Sequence, residues 1–275
     1  MSASKKTRVR KGRSRVFAGA DYLLDLRKNY PQILKGGVNA FGFVQDWLKA
    51  KNRLDKYDGG KRFVPFDRRS FDADQHAWKA STGGDLRWVA ARLTYKGLIM
   101  LKPPFDLMLY ANLIWELQPR TILEFGALQG GSALWFADQM ASLGRGREVH
   151  SFEVLTKCIH RRARRHPGLH FHDVDLFDLR TLDKALLRKL PHPWLVVDDA
   201  HVNLREVAAL VATFMRRGDY YVWEDIFLPE SRNERMVRDM ANLARKFNLL
   251  VDVKYTDAFG RNVTCAPNSW LRKSG

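Results

Sequence analysis

Residues 121–137, with the sequence TILEFGALQGGSALWFA, determine the fold of the chain. The first five residues are an apolar run with the length and composition of a buried strand. Three glycines, Gly126, Gly130 and Gly131, then interrupt the run, and the segment ALWFADQMASL that follows has a helical pattern. The stretch therefore predicts a strand, a glycine-rich turn and a helix in succession.

A glycine-rich turn in this position predicts a site for a nucleotide-like ligand. Glycine lets the backbone approach a ligand closely, and the N–H groups at the start of the next helix favour anionic atoms. The dinucleotide fingerprint G-x-G-x-x-G is not met, because Leu128 occupies the position of its second glycine. The alternative is an ordinary strand-to-helix turn of an α/β protein.

Strand and helix patterns alternate along the second half of the chain. Helical segments separate six candidate strands, at residues 121–125, 149–154, 169–174, 194–199, 220–225 and 249–255. This alternation predicts a parallel sheet covered on both faces. A seventh candidate, at 262–266, follows after TDAFGR, which is too short for a crossover helix and suits a hairpin. We therefore predict an α/β fold with a doubly wound, Rossmann-like, seven-stranded sheet whose last strand is antiparallel.

The composition fits one main domain with an N-terminal extension. The 275 residues are 45% hydrophobic, and 47 Lys and Arg against 30 Asp and Glu give a net charge of +17. Such a charge attracts anionic partners, nucleic acid among them. We predict a disordered basic tail at residues 1–16, a helical extension or lid at residues 17–94, and the ligand-binding domain at residues 95–275.

The sequence predicts a cytoplasmic protein. Its two cysteines, Cys158 and Cys265, provide no disulfide framework, which favours a reducing compartment. The basic N-terminal segment is not followed by the apolar core of a secretory signal. The most apolar region, residues 97–115, contains Lys102, two prolines and Asp106, so it does not supply the roughly 20 apolar residues of a membrane-spanning helix.

Acidic residues follow the predicted strands at the sheet edge where open α/β proteins bind ligands. Glu153 ends the second strand, at a distance from the glycine turn that suits hydrogen bonds from ribose hydroxyls. An acid at such a position is also typical of a helix cap. After the third strand, Asp173 and Asp175 are candidates for contact with an adenine edge.

A denser acidic cluster follows the fourth and fifth strands. WLVVDDAH brings Asp198, Asp199 and His201 to one strand end, and YYVWED brings Glu224 and Asp225 to the next. Uncompensated carboxylates repel one another, whereas Mg²⁺ binds carboxylate oxygens together with water or substrate oxygens. The pattern predicts a metal site, and the alternative is that these acids cap helices or pair with basic residues.

The glycine pattern E-x-G-x-x-x-G-G-S resembles the first motif of class I S-adenosylmethionine-dependent methyltransferases. Together with KPPFDLMLY, VVDDAH, YYVWED and FGRNVTCAPNSWLR, it makes residues 95–273 similar to the cephalosporin hydroxylase-like and rhamnosyl O-methyltransferase group. The resemblance implies that Asp198, Glu224 and Asp225 bind Mg²⁺ and that His201 is the catalytic base. Asp199 stands where the group has serine, so which of the adjacent aspartates binds the metal stays open.

The resemblance implies a metal-dependent S-adenosylmethionine O-methyltransferase that acts on a hydroxyl group of a sugar or another small molecule. The implied cofactor-binding residues lie in the glycine motif and after the second and third strands: Glu124, Gly126, Gly130, Ser132, Glu153 and Asp175. The charge of +17 motivates a second hypothesis, a nucleic-acid methyltransferase or a nucleic-acid-binding protein with the same fold. The third hypothesis is a non-catalytic protein that retains the cofactor-binding fold. The identity of the acceptor and a homo-oligomeric state are left open.

Overall fold

The computed structural model describes residues 61–74, 93–225 and 230–275, except for the side chains of residues 230–235. Residues Tyr57–Gly275 form one compact unit. The predicted basic tail and most of the predicted extension lie outside the described residues, so the domain boundaries stay predictions. Within the described part of the chain, no helix is long and apolar enough to cross a membrane.

Among the described residues, eight strands form one sheet and two short strands form a separate hairpin. In chain order they are β1 (Phe63–Pro65), β2 (Thr94–Tyr95), β3 (Leu98–Ile99), β4 (Thr121–Phe125), β5 (Glu148–Glu153), β6 (Leu169–Asp173), β7 (Trp194–Asp198), β8 (Tyr220–Trp223), β9 (Leu249–Asp252) and β10 (Trp270–Lys273). The hairpin consists of β2 and β3.

Seven α-helices are present in the described residues: α1 (Pro104–Leu117), α2 (Gly131–Ser142), α3 (Arg161–Arg164), α4 (Lys184–Lys189), α5 (Leu204–Ala212), α6 (Glu230–Lys246) and α7 (Val253–Thr256). Sequence explains the ends of α1. Pro104 at its first turn has no N–H group that would need a partner there. The helix ends at Leu117, and the next residue, Gln118, has a left-handed φ of 52° directly before Pro119.

The large sheet has the order β1-β9-β10-β8-β7-β4-β5-β6. The five strands from β8 to β6 run parallel, while β10 is antiparallel to both of its neighbours, β8 and β9. The predicted doubly wound sheet with an antiparallel last strand is therefore confirmed. The order in which the chain adds strands reverses at β4: β5 and β6 lie on one side of it, and β7 and β8 lie on the other. Open α/β sheets bind ligands at such a reversal of strand order.

The position predicted for the last strand is wrong. The strand is Trp270–Lys273, and residues 262–266 form a buried loop. This loop is held by α1, because the Thr264 hydroxyl and the Cys265 N–H both donate to the Asp106 carboxylate. A side chain thus satisfies the backbone that the prediction had assigned to a sheet ladder. The connection is also longer than predicted, because α7 follows β9 directly.

The outer strand β1 is an eighth strand that the sequence did not predict. It pairs antiparallel with β9, and Phe63 lies opposite Asp252. Beside it, Arg62 Nη2 lies 2.7 Å from Oδ2 of the fully buried Asp252. A strand of three residues carries too little periodicity to be detected, so only its tertiary pairing reveals it.

Apolar side chains cover both faces of the sheet, as expected for buried parallel strands. In β4, all five residues are buried and successive side chains point to opposite faces. Leu123 and Phe125 belong to the core formed with α5 and α6, whereas Ile122 belongs to the core formed with α1 and α2. The strand that carries the glycine turn is therefore fixed from both sides.

Asp106 makes a testable contribution to stability. Burial raises the pKa of its carboxyl from 3.8 to about 6, so between these pH values the folded protein keeps a proton that the unfolded chain releases. The free energy of unfolding should therefore fall as the pH rises from about 4 to 6, by about 2–3 kcal/mol relative to the Asp106→Asn variant. Above pH 6 the difference in the free energy of unfolding between the wild type and the variant should stay constant. Urea unfolding at a series of pH values measures the difference, and a difference independent of pH would contradict it.

Candidate functional site

A cavity of about 630 Å³ opens at the carboxyl ends of β4, β5 and β7. This is the edge at which the strand order reverses, and both predicted groups of functional residues contribute to the lining. Four of the six predicted cofactor-binding residues line it: Gly126, Ser132, Glu153 and Asp175. The cavity lies within the range of 300–1,000 Å³ that is common for small-molecule sites.

Two predicted cofactor residues are not among the lining residues. Glu124 is fully buried, and its Oε2 accepts a hydrogen bond of 2.7 Å from the Ser151 hydroxyl. Gly130 has a φ of 86°, and a Cβ atom there would lie 2.9 Å from the Cβ of Ala163. Both residues therefore support the turn from behind.

Packing against neighbouring backbone explains the other two glycines of the turn. A Cβ atom on Gly126, whose φ is 89°, would lie 2.9 Å from the Asp199 carbonyl oxygen. A Cβ atom on Gly131 would lie only 2.1 Å from the Ile99 carbonyl oxygen. The glycines of the turn are predicted from the sequence to let a ligand approach closely, but the atoms that a Cβ would meet at these positions are protein atoms.

Glu153 organises the turn from the end of β5. Its Oε2 accepts hydrogen bonds of 3.0 Å from the N–H groups of Ala127 and Leu128, and its Oε1 accepts one of 3.0 Å from Leu155. The first N–H groups after Gly126 therefore point at this carboxylate. Because each carboxylate oxygen can accept more than one hydrogen bond, Glu153 keeps acceptor capacity toward the cavity that it lines.

The half of the cavity that contains Glu153 has an apolar rim. Leu128, Val154 and Phe177 line it and are each more than half exposed, and large apolar side chains of this kind are usually covered in a folded protein. Asp175 lies beside them, and its Oδ1 accepts a hydrogen bond of 2.9 Å from the N–H of Phe177. The arrangement suits a flat ring that carries polar edges.

The other half of the cavity contains an acid–histidine cluster. His201 Nε2 lies 3.3 Å from Oδ1 of Asp199 and 3.8 Å from Oδ2 of Asp225. One ligand atom from each of these residues lies within 4.8 Å of the other two. The hydrogen bond with Asp199 raises the pKa of His201, which favours the imidazolium form. His201 and Asp225 both have left-handed backbone, with φ of 57° and 50°.

Lys102 is a central residue of the site that the sequence analysis missed. It is 1% exposed, and its ammonium lies 2.8 and 2.7 Å from the two Glu224 oxygens and 3.1 Å from Oδ2 of Asp199. These charges outweigh the effect of burial and raise the pKa of Lys102, so the side chain stays charged. The signal for it in the sequence is that Lys102 is the one lysine of the most apolar region, residues 97–115.

Two of the three residues predicted as metal ligands do not line the cavity. Asp198 is fully buried, its Oδ2 accepts a hydrogen bond of 2.7 Å from the Tyr221 hydroxyl, and burial raises its pKa to about 7. Glu224 is bound by Lys102 and by the Tyr110 hydroxyl. Asp225 alone of the three faces the cavity, and Asp199 is the aspartate that accompanies it. Asp198 and Glu224 are thus engaged by other side chains, whereas Asp199 and Asp225 face the cavity, and which of the adjacent aspartates binds a metal stays a prediction.

Replacing Lys102 tests the ionic character of the site. The Lys102→Met substitution leaves the buried Glu224 without its cation and should lower the free energy of unfolding by about 3–5 kcal/mol. Adding Glu224→Gln in the same chain should restore part of this loss, because a neutral amide needs no counter-charge. The matched control is Lys96→Met, which removes a half-exposed ammonium paired with Asp138 and should cost less than about 1 kcal/mol. Equal losses in the two single variants, measured by urea unfolding, would contradict the assignment.

Comparison with known proteins identifies the family. The family model described as rhamnosyl O-methyltransferase/CmcI matches residues 87–274. Rhamnosyl O-methyltransferase of Mycobacterium tuberculosis H37Rv is 30% identical over 158 residues, which are 55% of this chain and 62% of the relative. The Mycobacterium leprae enzyme of that name is 28% identical over 172 residues, 60% and 71% of the two chains. This chain thus matches less than two thirds of the length of the M. tuberculosis relative.

Solved structures of CmcI are similar in fold and in sequence. The apo form superposes with a TM-score of 0.58 at 27% identity, over 66% of this chain and 76% of that chain. A form with Mg and SAM superposes with a TM-score of 0.57 at 28% identity, over 66% and 77%. The family match over most of the chain, the strand order and the cavity at the glycine turn agree, and the chain belongs to the rhamnosyl O-methyltransferase/CmcI family.

Proposed function

We propose that the protein is a metal-dependent S-adenosylmethionine O-methyltransferase that acts on a hydroxyl group of a sugar or a similar small molecule. The observation that carries the proposal is that one cavity joins two different halves. One half has Glu153 and an apolar rim, and the other has the cluster of Asp199, His201 and Asp225. The CmcI form with Mg and SAM and the name of the mycobacterial relatives support it.

The half with Glu153 is the proposed cofactor site. The Glu153 carboxylate has acceptor capacity for ribose hydroxyls, and Leu128, Val154 and Phe177 offer apolar surface to the adenine ring. Asp175 would accept from the exocyclic amine of the adenine. Because Glu124 and Gly130 lie behind the lining, we assign them to support of the turn and not to direct contact.

The fit of a magnesium ion follows from the donors that face the cavity. Asp199 and Asp225 supply the hard carboxylate oxygens that Mg²⁺ prefers. Burial acts to raise the pKa of Asp199, but the positive charges of Lys102 and His201 outweigh this effect and lower the pKa, which favours the carboxylate form. We therefore propose Asp199 and Asp225 as metal ligands, with Glu224 holding Lys102 beside them. A bound divalent cation would supply Lewis-acid activation of an acceptor hydroxyl.

His201 is the proposed general base. Its Nε2 lies at the same carboxylates, and the hydrogen bond with Asp199 is the main reason for its raised pKa. Once Asp199 and Asp225 are engaged by a cation, the pKa of His201 should return toward its ordinary value near 6.5, which suits proton removal at neutral pH. The acceptor hydroxyl would then lose its proton to Nε2 while its oxygen faces the methyl group of the cofactor.

A sugar hydroxyl is the proposed acceptor because the relatives are named for rhamnosyl methylation. The nucleic-acid hypothesis stays a prediction: the net charge of +17 on which it rests includes residues 1–60 and 75–92, outside the described part of the chain. A cytoplasmic location and a homo-oligomeric state likewise stay predictions.

Cofactor binding is tested without an acceptor. S-adenosylhomocysteine should raise the thermal midpoint by mass action, and Glu153→Gln should weaken its binding at least about tenfold, because an amide offers one oxygen where the carboxylate offers two. The matched control is Asp173→Asn, which changes an exposed acid at the end of β6 outside the cavity lining. Calorimetric titration gives the dissociation constants. Equal affinity of both variants and the wild type would refute the placement of the cofactor.

The metal assignment is tested by comparing adjacent residues. Asp199→Asn and Asp225→Asn should each abolish Mg²⁺ binding in calorimetry and lower turnover on a rhamnoside acceptor by about 10²-fold or more, since metal activation supplies several kcal/mol. Asp198→Asn should retain Mg²⁺ binding, because that side chain is bound to Tyr221. If Asp198→Asn loses Mg²⁺ binding while Asp199→Asn keeps it, Asp198 is the metal ligand and the assignment to Asp199 is wrong.

The base is tested separately from the metal. His201→Ala should keep the affinity for S-adenosylhomocysteine and lower the maximal rate by about 10²–10⁴-fold, the usual contribution of a positioned base. A near-normal rate in the folded variant would assign His201 to structure.

A further inference from the structure

A cluster of three histidines and one glutamate lies at the outer edge of the sheet, away from the acid–histidine cluster of the cavity. It consists of Glu148 and His150 on β5 and His170 and His172 on β6. In the parallel register His150 lies opposite His170, and residues two apart on a strand share a face. The three imidazoles therefore gather on one face of the sheet at its terminal pair of strands.

The distances within this edge cluster match those between ligands of one small metal ion. Oε2 of Glu148 lies 3.3 Å from Nε2 of His150 and 3.9 Å from Nε2 of His170. One ligand atom from each of the three residues lies within 4.8 Å of the other two. Ligands about 2.0–2.1 Å from a tetrahedral Zn²⁺ ion are about 3.3 Å apart, so small side-chain movements would complete the site.

One atom of the edge cluster lacks the partner that its burial demands. Nε2 of His170 is buried and, among the described residues, has no hydrogen-bond partner. It points instead at the Glu148 carboxylate across a gap too long for a hydrogen bond. A buried ring nitrogen left unsatisfied costs free energy, and a metal ion between it and the carboxylate would remove that cost.

His172 orients the central ligand. Its Nε2 lies 2.9 Å from Nδ1 of His150, and the two rings stack with centroids 5.2 Å apart. A hydrogen bond from Nδ1–H of His150 to His172 leaves the lone pair of His150 on Nε2, the atom that faces Glu148.

We propose that Glu148, His150 and His170 bind a divalent transition metal of the Zn²⁺ class, with His172 as the positioning residue, and that this ion fastens the edge strand β6 to β5. Two imidazole nitrogens and one carboxylate oxygen favour Zn²⁺ over Mg²⁺, which prefers oxygen ligands. Glu148 is 46% exposed on its side chain, so the site opens to solvent and a water molecule would complete the coordination. This site is independent of the proposed methyltransferase metal, which has a different position and donor set.

The experiment titrates the chelator-treated full chain with ZnCl₂ by calorimetry. The Asp225→Asn variant serves as the parent, because it disables the cluster of Asp199, His201 and Asp225 as a competing site. One Zn²⁺ per chain should bind. Removing a ligand with His170→Ala should weaken it at least about 10²-fold, and His172→Gln should weaken it about 10–100-fold through the lost positioning hydrogen bond.

Two controls separate metal binding from general damage. Glu148→Gln changes a half-exposed side chain and should also weaken Zn²⁺ binding, whereas Glu206→Gln on α5 should leave it unchanged. If His170→Ala does not fold, Glu148→Gln carries the test. Zn²⁺ should raise the thermal midpoint of the parent and not that of Glu148→Gln. The absence of bound Zn²⁺ in the parent, or equal affinity in the parent and Glu148→Gln, would overturn the proposal.

Discussion

The buried ammonium of Lys102 is the interaction on which the arrangement of the site depends. It precedes α1 in the chain and joins the carboxylates that follow two different strands, Asp199 after β7 and Glu224 after β8. Without it, two acids would lie close together with little solvent to separate their charges. The ammonium binds Glu224, which is not among the lining residues, and leaves Asp199 and Asp225 as the acids that line this half of the cavity together with His201.

A second set of contacts from α1 fixes the backbone of Asp225. Asp106 accepts hydrogen bonds from the loop at 262–266, and the carbonyl of Cys265 in that loop accepts a hydrogen bond of 2.7 Å from the N–H of Asp225. The left-handed backbone of Asp225 is thereby fixed by a residue more than a hundred positions earlier. One helix start thus positions both metal-ligand candidates, through Lys102 on one side and Asp106 on the other.

The same sheet supports two kinds of histidine environment. His201 lies at a strand end among carboxylates, where its pKa is raised by the hydrogen bond with Asp199. His150 lies within a strand among other rings, where burial lowers its pKa to about 4. The first environment suits proton transfer and the second suits metal ligation through a neutral ring. The position of a histidine on the sheet therefore decides whether its pKa is raised or lowered.

The sequence by itself determined the strand–glycine–helix unit, the alternation that follows it, the antiparallel last strand and the acids at the strand ends. These features depend on local pattern, and residues 121–137 carry the first of them. Tertiary structure alone decided which of Asp198 and Asp199 faces the cavity, because adjacent residues differ in side-chain direction, which depends on the backbone that leaves β7. It also decided that residues 262–266 form a loop, since the Asp106 carboxylate that binds them comes from a distant helix. The partners of Lys102 could not be predicted for the same reason, because they lie 97 and 122 residues further along the chain.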